Sequence, residues 1–210
     1  MGKSSSFDFY ADQFYEMRLF AFGKNFWCSI SDGTTVLANV TAVDNSYTTG
    51  YVAIADEPSD YGPHYWSELD VEGTVLAPTA QPVAGPQPTV APSQLGDVVV
   101  VFCDAPRGDW TVYSGRMIWD QTWEDATCLM MSHSPEYYSV YGSDDIYTDA
   151  PLLIKTTVGY DSWKNTLYRD FFILFRMQSM PDGNTTDLAE NFGYQCKIIT
   201  DAGDDQAVLR

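Results

Sequence analysis

The chain has 210 residues, with 29 Asp and Glu against 11 Lys and Arg, and a formal net charge of −18 at pH 7. No basic residue occurs between Lys24 and Arg107, where ten acidic residues fall. This balance argues against nucleic acid and membrane as partners, because binding to either depends on neutralisation by Lys and Arg. The charge serves solubility or favours docking onto a basic partner.

The composition favours strands over helices. Aromatic side chains make up 15% of the chain, and the segments between them are rich in Thr, Val, Tyr and Gly, which suit a pleated surface. A chain of this length buries roughly 70% of its unfolded surface and needs no cross-links to fold. We therefore expect a mainly β protein, an antiparallel sandwich or barrel, with an N-terminal helix and a long Pro-rich arm.

The N-terminal helix is predicted over residues 7–20, where large apolar side chains are spaced by three, four and three. Ser6 precedes them as a candidate N-cap. The four side chains on the shared face are Phe7, Tyr10, Phe14 and Met17.

Short extended segments follow the predicted helix. Residues 34–43 and 47–55 flank the turn-forming cluster Asp44-Asn45-Ser46, a pattern that predicts a β-hairpin. Residues 58–72 contain two prolines and several acids, and we expect a loop there.

Residues 75–96 form a Pro-rich segment with no charged side chain. Its prolines lack backbone N–H donors and have fixed φ angles, which is incompatible with a helix or a central strand. The segment therefore predicts an extended, polyproline-like arm. It is a linker between two domains (residues 1–74 and 97–210), a long surface loop of a single domain, or an arm that binds a partner.

The second half of the chain predicts regularly spaced strands separated by Gly, Pro and Asp, as in a sandwich or barrel. The segments are 97–104, 110–119, 126–133, 136–141, 152–158, 171–178 and 194–200.

The four cysteines, each isolated in an apolar stretch, show no metal-binding spacing. They are Cys28, Cys103, Cys128 and Cys196. We expect buried free thiols rather than structural disulfides. The N-terminus lacks the apolar core of a signal peptide, which predicts synthesis in a cytoplasm, and the acceptor patterns at Asn39 and Asn184 are then expected to be fortuitous.

No catalytic residue, metal ligand or cofactor site is assigned. His64 and His133 lie outside any nucleophile or zinc motif. Glu124, with Trp119 and Trp123 close in sequence, suggests a glycosidase carboxylate beside sugar-stacking rings. Such neighbours, however, arise by chance in a chain with 29 Asp and Glu residues. The acidic loops 182–187 and 201–205 offer oxygens for calcium without the EF-hand order.

Aromatic and proline-rich segments are the candidate partner-binding residues, because rings bury area while keeping a polar handle. Packing in the core is the alternative for the rings. The candidates are Pro78, Pro82, Pro86, Pro88, Pro92, Tyr61, Tyr65, Trp66, Tyr137 and Tyr138.

In residues 44–58 and 73–102, an acidic β-rich module is joined to another by the uncharged Pro-rich segment. This arrangement resembles accessory structural proteins of tailed bacteriophage particles. The resemblance implies a cement, decoration, adaptor or tail protein, located in the virion and assembled in the host cytoplasm, in contact with major capsid or tail proteins.

The leading hypothesis is therefore a non-enzymatic structural protein of a virus particle that acts through protein–protein contacts and forms a homo-oligomer. The alternative is a carbohydrate-binding module or a glycosidase, which would use Tyr and Trp rings beside carboxylates.

Overall fold

The computed structural model describes residues 3–10, 12–57, 64–76, 99–100, 110–114, 117–120, 129–132, 138–160, 170–180, 193–199 and 206–209. Within these ranges the chain is mainly β, as the composition predicts, with two antiparallel sheets and no helix. Neither sheet closes into a barrel in this part of the chain.

The described residues form fifteen strands, numbered in chain order. They are β1 (Lys3–Ser6), β2 (Tyr15–Phe22), β3 (Asn25–Ser31), β4 (Val36–Val43), β5 (Tyr51–Glu57), β6 (His64–Glu72), β7 (Val99–Val100), β8 (Trp110–Ser114), β9 (Met117–Asp120), β10 (Leu129–Ser132), β11 (Ser139–Ser143), β12 (Leu152–Tyr160), β13 (Asp170–Met177), β14 (Tyr194–Ile199) and β15 (Gln206–Leu209).

The first sheet has the strand order β1-β15-β14-β13-β5-β11-β8, and the second has the order β4-β3-β2-β12-β6-β10-β9, with β7 also paired to β6. Strands from both sides of the Pro-rich segment pair with each other. In the first sheet Lys3 lies opposite Leu209, and in the second β12 lies between β2 and β6. Described strands from residues 3–72 and from residues 99–209 thus contribute to the same two sheets.

The predicted N-terminal helix is wrong. Residues 7–10 and 12–14 are irregular, and the rest of the segment forms β2. Its side chains alternate between the interior and the outside, with Tyr15, Met17, Leu19 and Ala21 buried. The helical spacing was misleading because eight of the fourteen residues are large and apolar, and their positions fit a period of two as well as one of 3.6.

The predicted hairpin over residues 34–55 is also wrong, although both of its strands exist. β4 pairs with β3 in the second sheet, whereas β5 lies in the first. The turn between β3 and β4 is stabilised by Asp32, whose carboxylate accepts hydrogen bonds from the main-chain N–H groups of Thr34 and Thr35. Residues 44–50 then cross from one sheet to the other.

The loop predicted over residues 58–72 is in part a strand. His64–Glu72 forms β6, near the centre of the second sheet, and most of its side chains are buried. The polar residues of this segment suggested a loop. In the structure two of its acids face away from the core, and a histidine and a serine are buried inside it.

Most strands predicted in the second half correspond to observed ones where residues are described: β7 within 97–104, β10 within 126–133, β11 at 139–143, β12 at 152–160, β13 at 170–177 and β14 at 194–199. The segment 110–119, predicted as one strand, instead contributes two: β8 pairs with β11 in the first sheet, and β9, which extends to Asp120, pairs with β10 in the second.

The core lies between the two sheets and is rich in aromatic rings. Phe171 of β13 contacts Trp66 of β6 edge to face, with ring centroids 5.4 Å apart. Phe9, from the irregular segment before β2, also reaches Phe171 at 5.9 Å. Every residue of β13 is buried, because the opposite face of the first sheet packs in a second apolar cluster that includes Phe172 and Leu174.

A disulfide joins the two sheets. It links Cys28 of β3 to Cys196 of β14, with Cα atoms 6.1 Å apart and both residues fully buried. The expectation of free thiols is therefore wrong for these two residues. Each cysteine sits at an inward-facing position of its strand, so the packing of the sheets brings together two thiols that are 168 residues apart.

The start of the Pro-rich segment is anchored to the loop between β11 and β12. Val75 forms an isolated bridge with Tyr147, and the Leu76 N–H donates to the Ile146 carbonyl at 2.7 Å. Residues 77–96, on which the prediction of an extended arm rests, lie outside the described residues.

Candidate functional site

The predicted partner-binding residues fall into two groups. Three rings, Tyr65, Trp66 and Tyr138, are buried within their own chain. Trp66 and Tyr138 belong to the two apolar clusters of the core. The others lie outside the described residues: Pro78, Pro82, Pro86, Pro88, Pro92, Tyr61 and Tyr137.

The other chemistry considered from sequence is mostly outside the described residues as well. This applies to His133, Glu124 and the acidic loops 182–187 and 201–205. Among the residues that are described, no three His, Cys, Asp or Glu side chains converge as metal ligands.

A buried carboxyl–imidazole pair connects the sheets. His64 of β6 and Asp56 of β5 face each other, with 2.9 Å between Nδ1 and Oδ2. Both side chains are almost inaccessible to solvent. Burial raises the pKa of Asp56, and the hydrogen bond and charge of His64 oppose that rise. Phe171 stacks on the imidazole, with ring centroids 4.8 Å apart.

The order of groups in this cluster differs from that of a hydrolytic triad. Ser139 of β11 lies directly opposite Asp56 in the sheet. The carboxyl is thus between the serine and the histidine, whereas activation of a serine needs the histidine in the middle. All three residues are buried, so the cluster as it stands joins the sheets and does not present a nucleophile.

A second buried charge lies at the other end of β13. Arg176 is 1% exposed, has a positive φ of 52° and sits where the register of β13 shifts against β5. Its Nη1 donates to the carbonyls of Gly23 and Tyr47, at 2.7 and 3.1 Å. The guanidinium also lies over the ring of Phe26, 5.1 Å from its centroid. Burial lowers the pKa of this guanidinium, as expected for a desolvated cation.

The Arg176 region holds the loops at that end of the sheets. Gly50 packs so closely on the main chain of Arg176 that a Cβ there would collide with it. Nearby, the Tyr194 hydroxyl donates to Asp44 at 2.6 Å and accepts from the Tyr47 N–H at 3.0 Å. That hydroxyl, with help from Ser46, lowers the pKa of Asp44 to about 2.

The outer face of the second sheet carries exposed apolar side chains, which we call the apolar face. Phe20 and Phe22 of β2 are 39% and 54% exposed, and Val43 of β4 is 67% exposed. Strand register places Phe20 between Trp27 of β3 and Leu153 of β12, both half-buried. The apolar face is therefore contiguous across β12, β2 and β3, and Val43 lies beyond it on β4, opposite Asn25.

Basic side chains border the apolar face. Arg18 and Lys155 lie opposite each other on β2 and β12, and Lys24 follows in the turn after β2. Glu16 forms ion pairs with both Arg18 and Lys155. Partial burial raises the pKa of Glu16, but the hydrogen bonds from these two cations outweigh that effect and lower it.

An open groove lies where the segment before β2 meets the turn between β3 and β4. It encloses about 390 Å³, within the size range of small-molecule sites. Tyr10, 59% exposed, forms part of its wall, and the Tyr10 hydroxyl donates to Asp8 Oδ2 at 3.2 Å. The described residues that line the groove are Phe7, Asp8, Tyr10, Gln13, Tyr15, Asp32 and Leu37.

Neither surface was identified from the sequence. A signal for the apolar face exists in β2, where Phe20 and Phe22 alternate with Leu19 and Ala21, so a strand with large apolar residues on both faces could have been noticed. The groove left no comparable signal, because its walls come from two turns separated in sequence.

Comparison of the sequence with protein-family models and with curated proteins finds no match. No helix in the described ranges is long and apolar enough to span a membrane.

Proposed function

We propose that this chain is a non-enzymatic structural protein of a virus particle, in which it acts as a β-sandwich that docks through protein–protein contacts. The observation that carries the proposal is the apolar face, with Phe20 and Phe22 exposed beside Trp27 and Leu153. Contiguous exposed apolar surface of this kind is rare on monomers and marks interaction sites. Aromatic residues in such surfaces contribute most of the binding energy.

The charges around this face favour a further copy of the chain as its first partner. With a net charge of −18, two copies repel each other over most approaches. Arg18, Lys24 and Lys155 lie next to the apolar face, together with Glu16 and with Glu72, which lies opposite Leu153. The border of the face thus carries both signs of charge, which a symmetric second copy can pair with each other. A homo-oligomer that uses this face is the expected assembly.

The buried polar groups support a structural role over a catalytic one. Asp56 and His64 are the described groups most like an acid–base pair, and both are enclosed between the sheets. A general base must reach the proton that it abstracts, and no substrate reaches this pair without separation of the sheets. The pair is better suited to joining β5 to β6.

The assignment to a virus particle rests on the resemblance of residues 44–58 and 73–102 to accessory proteins of tailed bacteriophages. On this proposal the homo-oligomer contacts other virion proteins, such as the major capsid or tail protein, and binds neither nucleic acid nor membrane. The intersheet disulfide is compatible with a virion, because disulfides persist on particle surfaces exposed to oxidising surroundings.

The experiment is light scattering coupled to size-exclusion chromatography over a range of protein concentrations. We expect the unmodified chain to be oligomeric. The oligomer of the double variant Phe20→Ser/Phe22→Ser should dissociate at a protein concentration at least about tenfold higher than that of the unmodified chain, as for loss of an interface hot spot. Val112→Ser is the matched control, since Val112 is an exposed apolar residue (40%) of the first sheet.

A chain that is monomeric at every concentration would contradict the proposed homo-oligomer, as would a double variant that assembles like the control. Binding of the unmodified protein to purified capsids or tails, compared with the same two variants, tests the virion contacts separately.

Carbohydrate binding is the second candidate function. The observation that favours it is the groove, which places an exposed tyrosine beside carboxylates.

A further inference from the structure

The groove beside Tyr10 is built on a fixed floor. Tyr15 is buried at its base, and the Tyr15 hydroxyl accepts a hydrogen bond of 2.8 Å from the Tyr10 N–H. Phe9 anchors the same segment in the core against Tyr15 and Tyr160, with centroid distances of 4.5 and 5.2 Å. The wall that carries Tyr10 is thus held in place before any ligand arrives, which lowers the cost of binding.

The opposite wall is equally constrained. One oxygen of Asp32 accepts hydrogen bonds from the N–H groups of Thr34 and Thr35 and from the Thr34 hydroxyl, at 2.7–2.9 Å. These bonds, led by that from Thr35, lower the pKa of Asp32. The carboxylate is therefore ionised at neutral pH and held in one orientation at the groove.

The chemistry of the lining selects a class of ligand. Aromatic faces accept the C–H face of a sugar ring, and carboxylates and amides accept or donate hydrogen bonds to its hydroxyls. The groove presents both kinds of group, with Tyr10 on one side and Asp8, Gln13 and Asp32 as polar partners. Among the seven described lining residues there is no Lys, Arg or His, so uronic, sialylated and sulfated sugars would meet uncompensated negative charge.

We propose that this groove binds a short neutral oligosaccharide, with one sugar ring stacked on Tyr10 and its hydroxyls donating to Asp8 and Asp32. The site is distinct from the apolar face and does not depend on the proposed assembly. A protein that failed to oligomerise would still bind sugar here, and a protein that failed to bind sugar would still oligomerise.

The test is isothermal titration with neutral tetrasaccharides of glucose, mannose, galactose and N-acetylglucosamine. We expect at least one to bind, and Tyr10→Ala to weaken that binding about tenfold or more through loss of the stacking surface. Asp8→Asn is expected to weaken it several-fold, because an ionised acceptor is replaced by a neutral amide. Tyr10→Phe, which keeps the ring, should retain most of the affinity.

The chain offers a matched control elsewhere on its surface. Tyr113 of β8 donates to Asp144 at 2.6 Å, a tyrosine–aspartate pair like that of Tyr10 and Asp8 but outside the groove. Tyr113→Ala and Asp144→Asn should leave sugar binding unchanged. Thermal melts of all variants confirm that each is folded.

Three outcomes would overturn the proposal. The first is no heat of binding with any of the four tetrasaccharides at millimolar concentration. The second is binding that Tyr10→Ala and Tyr113→Ala weaken equally. The third is a groove that binds only an oligoarginine peptide, with an affinity that falls steeply at about 0.5 M salt, where charges are strongly screened. The site would then recognise cations rather than sugar.

Discussion

Two ionisable side chains are buried near opposite ends of β13, and they form hydrogen bonds with different kinds of partner. At one end, Asp56 lies beside Phe171 in the sheet and meets the side chain of His64 across the core. At the other, Arg176 donates to the main-chain carbonyls of Gly23 and Tyr47. The first contact joins sheet to sheet, whereas the second joins the first sheet to loops.

This difference implies that the two ends contribute differently to the protein. Loss of the Asp56–His64 pair affects the packing of the whole core, because a buried polar group would face apolar rings with no partner. Loss of Arg176 affects the segments that it holds, chiefly residues 44–50. We therefore expect a global effect from the first and a more local effect from the second.

The largest effect is expected from His64→Ala. It takes the imidazole partner from the buried Asp56 carboxyl and leaves a cavity beside Phe171. Together these changes are expected to lower the free energy of unfolding by about 3–5 kcal/mol. Urea denaturation measures this loss. Glu72→Gln, at an exposed carboxylate of β6, should change stability by less than about 0.5 kcal/mol. A His64→Ala variant as stable as this control would show that the pair does not hold the sheets together.

A smaller effect, of about 2–3 kcal/mol, is expected from Arg176→Met, which keeps much of the volume but removes the donors to two carbonyls. Amide hydrogen exchange should show faster exchange at Tyr47 and Gly50, whose N–H groups are hydrogen-bonded in this region. Exchange in β6 should change little. Equal acceleration in both places would contradict the distinction between the two ends.

The smallest effect concerns pH. Burial raises the folded-state pKa of Asp56, so its neutral form is the one that the fold favours. Its contribution to stability is complete below the unfolded-state pKa and is lost as the pH rises through the folded-state value.

Asp56→Asn has the same shape and does not titrate. We expect the stability of the unmodified protein relative to this variant to fall as the pH rises above the unfolded-state pKa of about 4, as measured by urea denaturation at several pH values. A relative stability that rises with pH would mean that the ionised carboxylate is the favoured form.

Much of the β architecture could be predicted from local pattern. β12, β13 and β14 are apolar runs bounded by Gly, Pro and Asp, and such runs are strands in either type of β fold. The helix failed at β2 because large apolar residues lie on both of its faces, and one of those faces proved to be the apolar face. Periodicity does not distinguish a helix from a strand when the apolar positions fit both periods.

The long-range features could not be predicted in the same way. The placement of β4 and β5 in different sheets depends on pairing with strands far along the chain, which no local turn signal reports. The pairing of Cys28 with Cys196 was not evident for the same reason, since connectivity among four cysteines is not determined by sequence. The groove likewise depends on two turns that come together only in the folded protein. The extended arm over residues 77–96 stays a prediction.

The bond between Cys28 and Cys196 also has a consequence for biosynthesis. The first sulfur leaves the ribosome long before the second, since 168 residues separate them, and at 5–20 residues per second this interval lasts on the order of ten seconds or more. During this interval Cys103 and Cys128 also leave the ribosome and become accessible to the Cys28 thiol. Correct maturation thus depends on late oxidation or on reshuffling of early partners, and yields of correctly folded recombinant protein should respond to a disulfide isomerase.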